Sequence, residues 1–404
     1  MFCTCLNGIQ GVLGTLATSA VLYRHYRAER AISGDGSTYW VVVNEAFELH
    51  TEACAWLTGL KSNDRAYNTQ RTYAGRIALY LSYCTENAVD WTRPSLAQLM
   101  AMMRWLVDEP LPPKGRRPAA EPRFRDKGTA NKIMGTVGEF LTWSALQGWV
   151  SASVVSQLVQ PKFLHYTPPG FDPGEDGQHR MIQARRIKYR VAVPGYEWLS
   201  DDQIEKALGC TTHARDRFLV ALLAVTGMRI GEGLGLRRED MHFLPDSTLL
   251  GCRVAGPHVH VRRRLNSNNA YAKSHYPRWI PVEAQTVELY AAYRYERDAV
   301  PEAEGCDMVF VNLFRAPLGE PMKYPSTYEL FKRLAARAGF RARPHMLRHS
   351  AITRWLRSGV PRDVAQNLAG HQSPQSMDPY THATDQDKRD AVKLVAAKRK
   401  EARQ

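Results

Sequence analysis

The stretch "DRFLVALLAVTGMRIGEGLGL" (residues 216–236) reads as a helix, a stop and the start of a second helix. From Phe218 to Val225 the run is wholly apolar, so this helix has no polar face and is expected to lie inside a protein core. Thr226 and Gly227 form the break, because glycine enters the left-handed conformation that ends helices. Arg229 then falls at the start of the next helix, an awkward place for a long cation unless it holds an anion. Glu232, three residues on, shares its face and can fix the guanidinium. The glycines of "GEGLG" (231–235) do not have the spacing or the preceding strand of a dinucleotide fingerprint.

Working outward, a domain is expected to begin at "LSDDQIEKAL" (199–208) and to run to about residue 395. "HVHVRRRL", "AYAKS" and "RWIPV" have strand-like composition and are separated by the turn signals "NSNN" and "HYP". Helices are expected again at "STYELFKRLAARAG" (326–339), "HMLRHSAITRWLRSG" (345–359) and "PRDVAQNLAG" (361–370). The fold class is therefore mainly α with a small antiparallel β-sheet. Upstream, "NTQRTYAGRIALYLSYC" (68–84), with Asn68 or Thr69 as cap, "SLAQLMAMMRWLVD" (95–108) and "TANKIMGTVGEFLTWSALQGWV" (129–150) carry apolar residues at helical spacing. They predict a separate helical domain over 45–158, with the loop "PPKGRRPAAEPRFRDKG" (112–128) as a basic rim. Residues 159–198, with "HYTPPGFDPGEDGQ" and the basic "RRIKYR" (185–190), read as a linker. Residues 1–44 read as an appendage of uncertain role, and 396–404 as a basic tail.

Composition narrows the partner. The 404 residues contain 54 Lys plus Arg against 40 Asp plus Glu, a formal +14. That surplus favours a polyanion, with nucleic acid ahead of a membrane surface. Candidate DNA contacts are Arg116, Arg117, Arg123 and Arg125 in the rim, and Arg185, Arg186 and Lys188 in the linker. Seven scattered cysteines suggest neither a disulfide framework nor zinc-finger spacing, which fits a reducing cytoplasm. No ligand set for a metal and no phosphate-binding loop is apparent, so neither metal nor cofactor is expected.

Chemistry gathers in the second half. His345 and Arg348 project from one helix face, Lys273 sits near a turn between short strands, and "LAGHQSPQSMDPYTH" (368–382) places His371 nine residues ahead of Tyr380. Two arginines can neutralise the non-bridging oxygens of a phosphodiester, and a lysine can protonate its leaving oxygen. His345 can accept the proton of Tyr380, His371 can hydrogen-bond the phosphate, and Tyr380 can be the covalent nucleophile.

The order of Arg229, Lys273, "HMLR", "GH" and Tyr380 resembles the tyrosine recombinase, or phage-integrase, family. "TGMRIGEGLGLRRED" (226–240) is similar to its first-arginine motif, "PHMLRHSAITRWL" to its His-x-x-Arg box, and "LAGH…YTH" to its histidine-to-tyrosine step. The likeness covers roughly residues 45–395 and in style is closest to integrases of actinobacterial mobile elements. It implies a helical core-binding (SAM-like) domain and a catalytic domain clamped around double-stranded DNA. It also implies a monomer when free, a homotetramer on attachment sites or inverted repeats, accessory DNA-bending proteins, and a place on the nucleoid. Tyr380 would join a 3′ phosphate and release a 5′ hydroxyl, without metal or ATP. Gly233, Ala369 and Pro379 depart from the family pattern, and Pro379 directly before the nucleophile restricts Asp378. The alternative is an integrase-derived protein that binds DNA with impaired catalysis; a type IB topoisomerase-like enzyme fits the motif style less well.

Overall fold

The computed structural model describes residues 25–112, 121–166, 178–192, 196–274, 276–371, 376, 377 and 380. Two units separate along the chain, one within 1–193 and one essentially from Pro194 onward.

The first unit opens with a hairpin of β1 (Tyr26–Ile32) and β2 (Thr38–Asn44). Helices α1 (Thr51–Ser62), α2 (Tyr67–Glu86), α3 (Leu96–Asp108), α4 (Lys127–Leu146) and α5 (Ala152–Leu158) follow. A second hairpin pairs β3 (Val159–Phe163) with β4 (Met181–Arg185). Helix starts are set by short polar side chains. Ser95 and Gln98 form a reciprocal capping box on α3, and Asp126 accepts from the Thr129 amide at 2.8 Å on α4. On α2 the helix starts at Tyr67, so Asn68 and Thr69 lie inside its first turn instead of capping it. Trp56, Ile77, Leu81, Leu99, Met102, Phe140 and Leu141 fill the core.

Both segments set aside by the sequence reading contribute to this unit. Val42 is fully buried, the Tyr26 amide donates to Ser82 Oγ at 2.9 Å, and the His50 amide donates to the Val42 carbonyl at 2.9 Å. Residues 26–44 are therefore a packed hairpin, not an appendage. Tyr189 exchanges two hydrogen bonds with the side chain of Asn131, and Ile187 and Tyr189 pack on the core. Ile187 and Tyr189 thus dock the basic segment on the helical core, while its cations stay exposed.

The second unit contains α6 (Asp201–Gly209), α7 (Ala214–Thr226), α8 (Ile230–Leu234), β5 (Met241–His242), β6 (His258–Val261), β7 (Arg278–Pro281), α9 (Ala284–Asp298), α10 (Tyr324–Ala338), α11 (Pro344–Arg357) and α12 (Arg362–Ala369). The strands form an antiparallel sheet in the order β5-β6-β7. Phe218, Leu219, Leu222 and Leu223 of α7 are fully buried against Tyr293, Phe310, Leu330, Leu334 and Leu347. Gly227 ends α7 at φ +60, and a Cβ there would press on Trp355 and Ala351.

"AYAKS" (270–274) is not a strand. Asn268 explains why: its side chain accepts from the Ala270 amide at 3.0 Å and donates to the Leu234 and Met322 carbonyls. Asn266 Nδ2 donates to the Ala270 carbonyl at 2.9 Å. Side-chain amides thus take the backbone groups that a neighbouring strand would have used.

Arg297 is buried and donates to four carbonyls, those of Ala303, Cys306, Met308 and Val309, at 2.6–3.0 Å. Arg297→Leu should destabilise the chain by about 3 kcal/mol or more, since the carbonyls lose their donors. Urea denaturation will read this as a lower midpoint, and Arg297→Lys, with its compact three-donor head, should recover only part of it.

Candidate active site

The site grows from the end of α7. Past Gly227 the chain turns, and Arg229, at the start of α8, donates twice to one carboxylate: its amide to Glu232 Oε2 at 3.0 Å, and its Nη1 to Glu232 Oε1 at 3.2 Å. Gly231 makes the tight fit of α8 possible, since a Cβ would collide with the Tyr324 hydroxyl and the Tyr271 carbonyl. Gly233 is likewise packed, its Cβ position lying 3.3 Å from Leu223.

Glu232 is fully buried, and a second cation reaches it: Arg278 Nη2 from β7, at 2.7 Å. Arg278 Nε also donates to the Leu368 carbonyl at 3.0 Å. Its guanidinium lies where a side chain on Gly370 would stand, and Gly370 is left-handed at φ +64. Burial alone would raise the Glu232 pKa, but Arg278, then Arg348 and Arg229, hold it below the usual carboxylate range.

Among the described residues Arg348 is the largest fully buried side chain. It lies in α11 and donates to the Gly227 carbonyl past α7 and to the Ala369 carbonyl at the end of α12, both at 2.7 Å. Carbonyls at helix C-termini have no helical partner and carry the negative end of the helix dipole, so a guanidinium suits them. Burial, then Arg229, lowers the Arg348 pKa to about 10, which leaves it charged at neutral pH. Three buried or half-buried guanidiniums thus surround one carboxylate, a centre with surplus positive charge and N–H groups to spare for an anion.

Tyr380 sits beside this centre. It packs against the small cluster of Ile352, Ala365, Ala369 and Met377 and stacks on Tyr196 at 5.2 Å. Burial pushes its pKa to about 12, Arg348 and Arg229 acting the other way, so the phenol is protonated at neutral pH. Its hydroxyl lies 2.6 Å from Nδ1 of His349. His349 is held neutral, with a pKa near 3, by burial and then by His345 and Arg348. A protonated phenol and a neutral imidazole fix the sense of the bond: Tyr380 donates and His349 accepts.

His345 is exposed at the first turn of α11, with its ring 4.4 Å from that of His349. Its pKa is lowered by partial desolvation of the ring, then by Arg348, Arg229 and Lys273. Among the described residues the hydrogen-bond partner of the Tyr380 hydroxyl is thus His349, and His345 stands one helical turn away from it. Lys273 is exposed in the loop between β6 and β7. His371 follows Gly370, with Nδ1 3.2 Å from Met377 Sδ, and burial followed by Arg348 lowers its pKa to about 3. Arg229, Glu232, Lys273, His345, Arg348, His371 and Tyr380 all belong to the second unit.

Two members were missed from the sequence. Arg278 stood unremarked inside "RWIPV", and His349 one residue past the His-x-x-Arg box, although its four-residue step from His345 puts both on one helix face.

The proposed DNA contacts fall in the first unit. Arg123, Arg185, Arg186 and Lys188 are exposed, while Arg125 is half-buried beside Trp105. Arg116 and Arg117 lie outside the described residues, as do Asp378, Pro379 and the C-terminal tail.

Residues 197–387 match the model of the phage integrase family. Transposase A from transposon Tn554 of Staphylococcus aureus is 26% identical over 363 residues, spanning 86% of this chain and 91% of the transposase. A tyrosine recombinase of Thermosipho africanus is 25% identical over 224 residues, spanning 54% of this chain and 68% of that protein. Among solved structures, the Tn1549 transposon integrase in complex with transposon right end DNA superposes with TM-score 0.53 at 16% identity. That match covers 85% of this chain and 99% of the integrase. A lambda integrase dimer bound to a core site gives TM-score 0.53 at 15% identity, over 83% and 95% of the two chains. Both likenesses concern the fold. No described helix is long and apolar enough to cross a membrane.

The histidines give the site a pH signature. In the unfolded chain His349 and His371 take up protons as pH falls through about 6.5; in the folded chain they do so only near 3. Between these values the unfolded state binds more protons, so stability is lost as pH falls from 6.5 towards 3. At pH 5 the loss should approach roughly 2 kcal/mol per histidine. Urea midpoints measured from pH 7.5 to 4.5 should decline, and His349→Gln should flatten the decline; an equal slope in that variant would contradict the assignment.

Proposed function

We propose that the chain, with a phage integrase family match over residues 197–387, is a tyrosine recombinase and that Tyr380 is its nucleophile. It is a site-specific enzyme that cuts and rejoins DNA. The observation that carries the assignment of the nucleophile is the 2.6 Å bond from the Tyr380 hydroxyl to His349, beside the centre built by Arg229, Arg278, Arg348 and Glu232.

In this reading a DNA phosphate takes the anion's place, held by the free N–H groups of Arg229 and Arg348. As Tyr380 attacks, charge builds on the non-bridging oxygens, and the fixed guanidiniums stabilise it without having to reorganise. His349 accepts the phenolic proton; His345 and His371 are neutral and able to hydrogen-bond the phosphate. Lys273 protonates the departing 5′ oxygen. The product is a 3′-phosphotyrosyl link, which keeps the phosphoester's free energy for attack by a partner strand's 5′ hydroxyl, so no ATP is consumed. The exposed Arg123, Arg185, Arg186 and Lys188 of the first unit supply sequence-independent backbone contacts. The assembly acting on two duplexes is a homotetramer, and the chain works where the chromosome is, in the cytoplasm.

The test is a nicked suicide duplex carrying the element's own end, incubated with the full chain. A denaturation-resistant protein–DNA adduct should form with wild type and disappear in Tyr380→Phe; an adduct surviving that change would remove Tyr380 from the role. Arg348→Ala should abolish the adduct, and His349→Gln should slow its formation by about 10²-fold or more. Lys273→Ala should be slow on an ordinary phosphodiester but recover when the leaving 5′ oxygen is replaced by sulfur, which leaves without a proton. Tight DNA binding with no adduct in wild type would favour a binding protein instead.

A further inference from the structure

On the sheet, β5 and β6 assemble a second cluster. Their register sets His242 opposite His258, and His260, two residues along β6, shares the face of His258. Val259 and Val261 point to the core, so the histidines occupy the opposite face. His258 is nevertheless fully buried and His242 nearly so. Cys252, in the loop that joins the two strands, closes over them.

Four potential ligand atoms, one from each residue, lie within 4.8 Å of one another. Nε2 of His258 and Nε2 of His260 are 3.1 Å apart, and Cys252 Sγ stands 3.3 and 3.4 Å from them. A tetrahedral zinc ion, with bonds of about 2.0–2.1 Å to nitrogen and 2.3 Å to sulfur, needs its ligand atoms roughly 3.3–3.6 Å apart. The outer nitrogens are also engaged as such a site requires. His258 Nδ1 faces the Gly256 carbonyl at 2.7 Å, and His242 Nε2 faces the Glu239 carbonyl at 3.1 Å. Donating there leaves the other nitrogen of each ring with its lone pair aimed inward. The inner nitrogen of His242, Nδ1, is buried with no hydrogen-bond partner. Hydrogen bonds within the cluster leave that atom orphaned; a metal ion does not.

We propose that His242, Cys252, His258 and His260 bind one structural zinc ion that staples β5 to β6 and to the loop between them. Thiolate and imidazole ligands select zinc over magnesium or calcium, which take oxygen. Four protein ligands close the coordination shell, so the ion has no open position for chemistry. It fixes the start of the β6–β7 loop, which carries Lys273.

The full chain, purified without a histidine tag from zinc-supplemented cells and dialysed against metal-free buffer, should retain one zinc per molecule by elemental mass spectrometry. Exchange with Co²⁺ should give the intense visible bands of tetrahedral cobalt together with a thiolate-to-cobalt charge-transfer band. Cys252→Ser should remove the charge-transfer band, and His260→Ala should weaken Co²⁺ binding by at least about 100-fold. Cys210→Ser should change neither. Folded wild type that retains no zinc, or that gives a weak octahedral cobalt spectrum, overturns the proposal. So does full zinc content in a Cys252→Ser/His260→Ala double variant. Because the decisive readings are made on wild type, a variant that fails to fold does not rescue the idea.

Discussion

The carboxylate of Glu232 is the constraint on which the catalytic unit turns. Burying a lone carboxylate is strongly unfavourable, and burying guanidiniums is too; together they are tolerable only when each satisfies the others. Glu232 fixes Arg229 at the start of α8 and Arg278 on β7. Through Arg278 it reaches the Leu368 carbonyl and Gly370, and so sets the position from which His371 and the tyrosine-bearing segment depart. Arg348 completes the frame by tying the ends of α7 and α12 together. The same groups that hold the helices in place therefore also gather positive charge beside Tyr380.

What was legible in the sequence was what short-range physics decides. The stop at Gly227 follows from a left-handed residue after an apolar run, and the apolar spacing of 95–108 marked the helix that the structure shows as α3. Arg229, His345, Arg348, His371 and Tyr380 were each singled out from a local pattern, and the fold brings them into one unit. What stayed hidden depends on partners far along the chain. The hairpin over 26–44 is recognisable only once Ser82 takes the Tyr26 amide, and Arg278 becomes significant only once it meets Glu232, 46 residues earlier. "AYAKS" has strand composition, yet asparagine side chains claim its backbone. The histidine–cysteine cluster escaped for the same reason: His242, Cys252, His258 and His260 follow no finger-like spacing, and only the β5–β6 register brings them together. His349 is a different case, since its helix face was readable and its neighbour was chosen instead.

Two of the buried arginines, Arg297 and Arg348, donate their hydrogen bonds to main-chain carbonyls. Dissolved ions screen pairs of exposed charges over a Debye length, but they have little purchase on a charge–dipole contact sealed from water. Gripping a polyanion from a basic surface responds in the opposite way, weakening steeply as counterions are added. The molecule thus separates two sensitivities: brine strong enough to strip it from a duplex leaves its internal scaffold intact and ready to bind again on dilution.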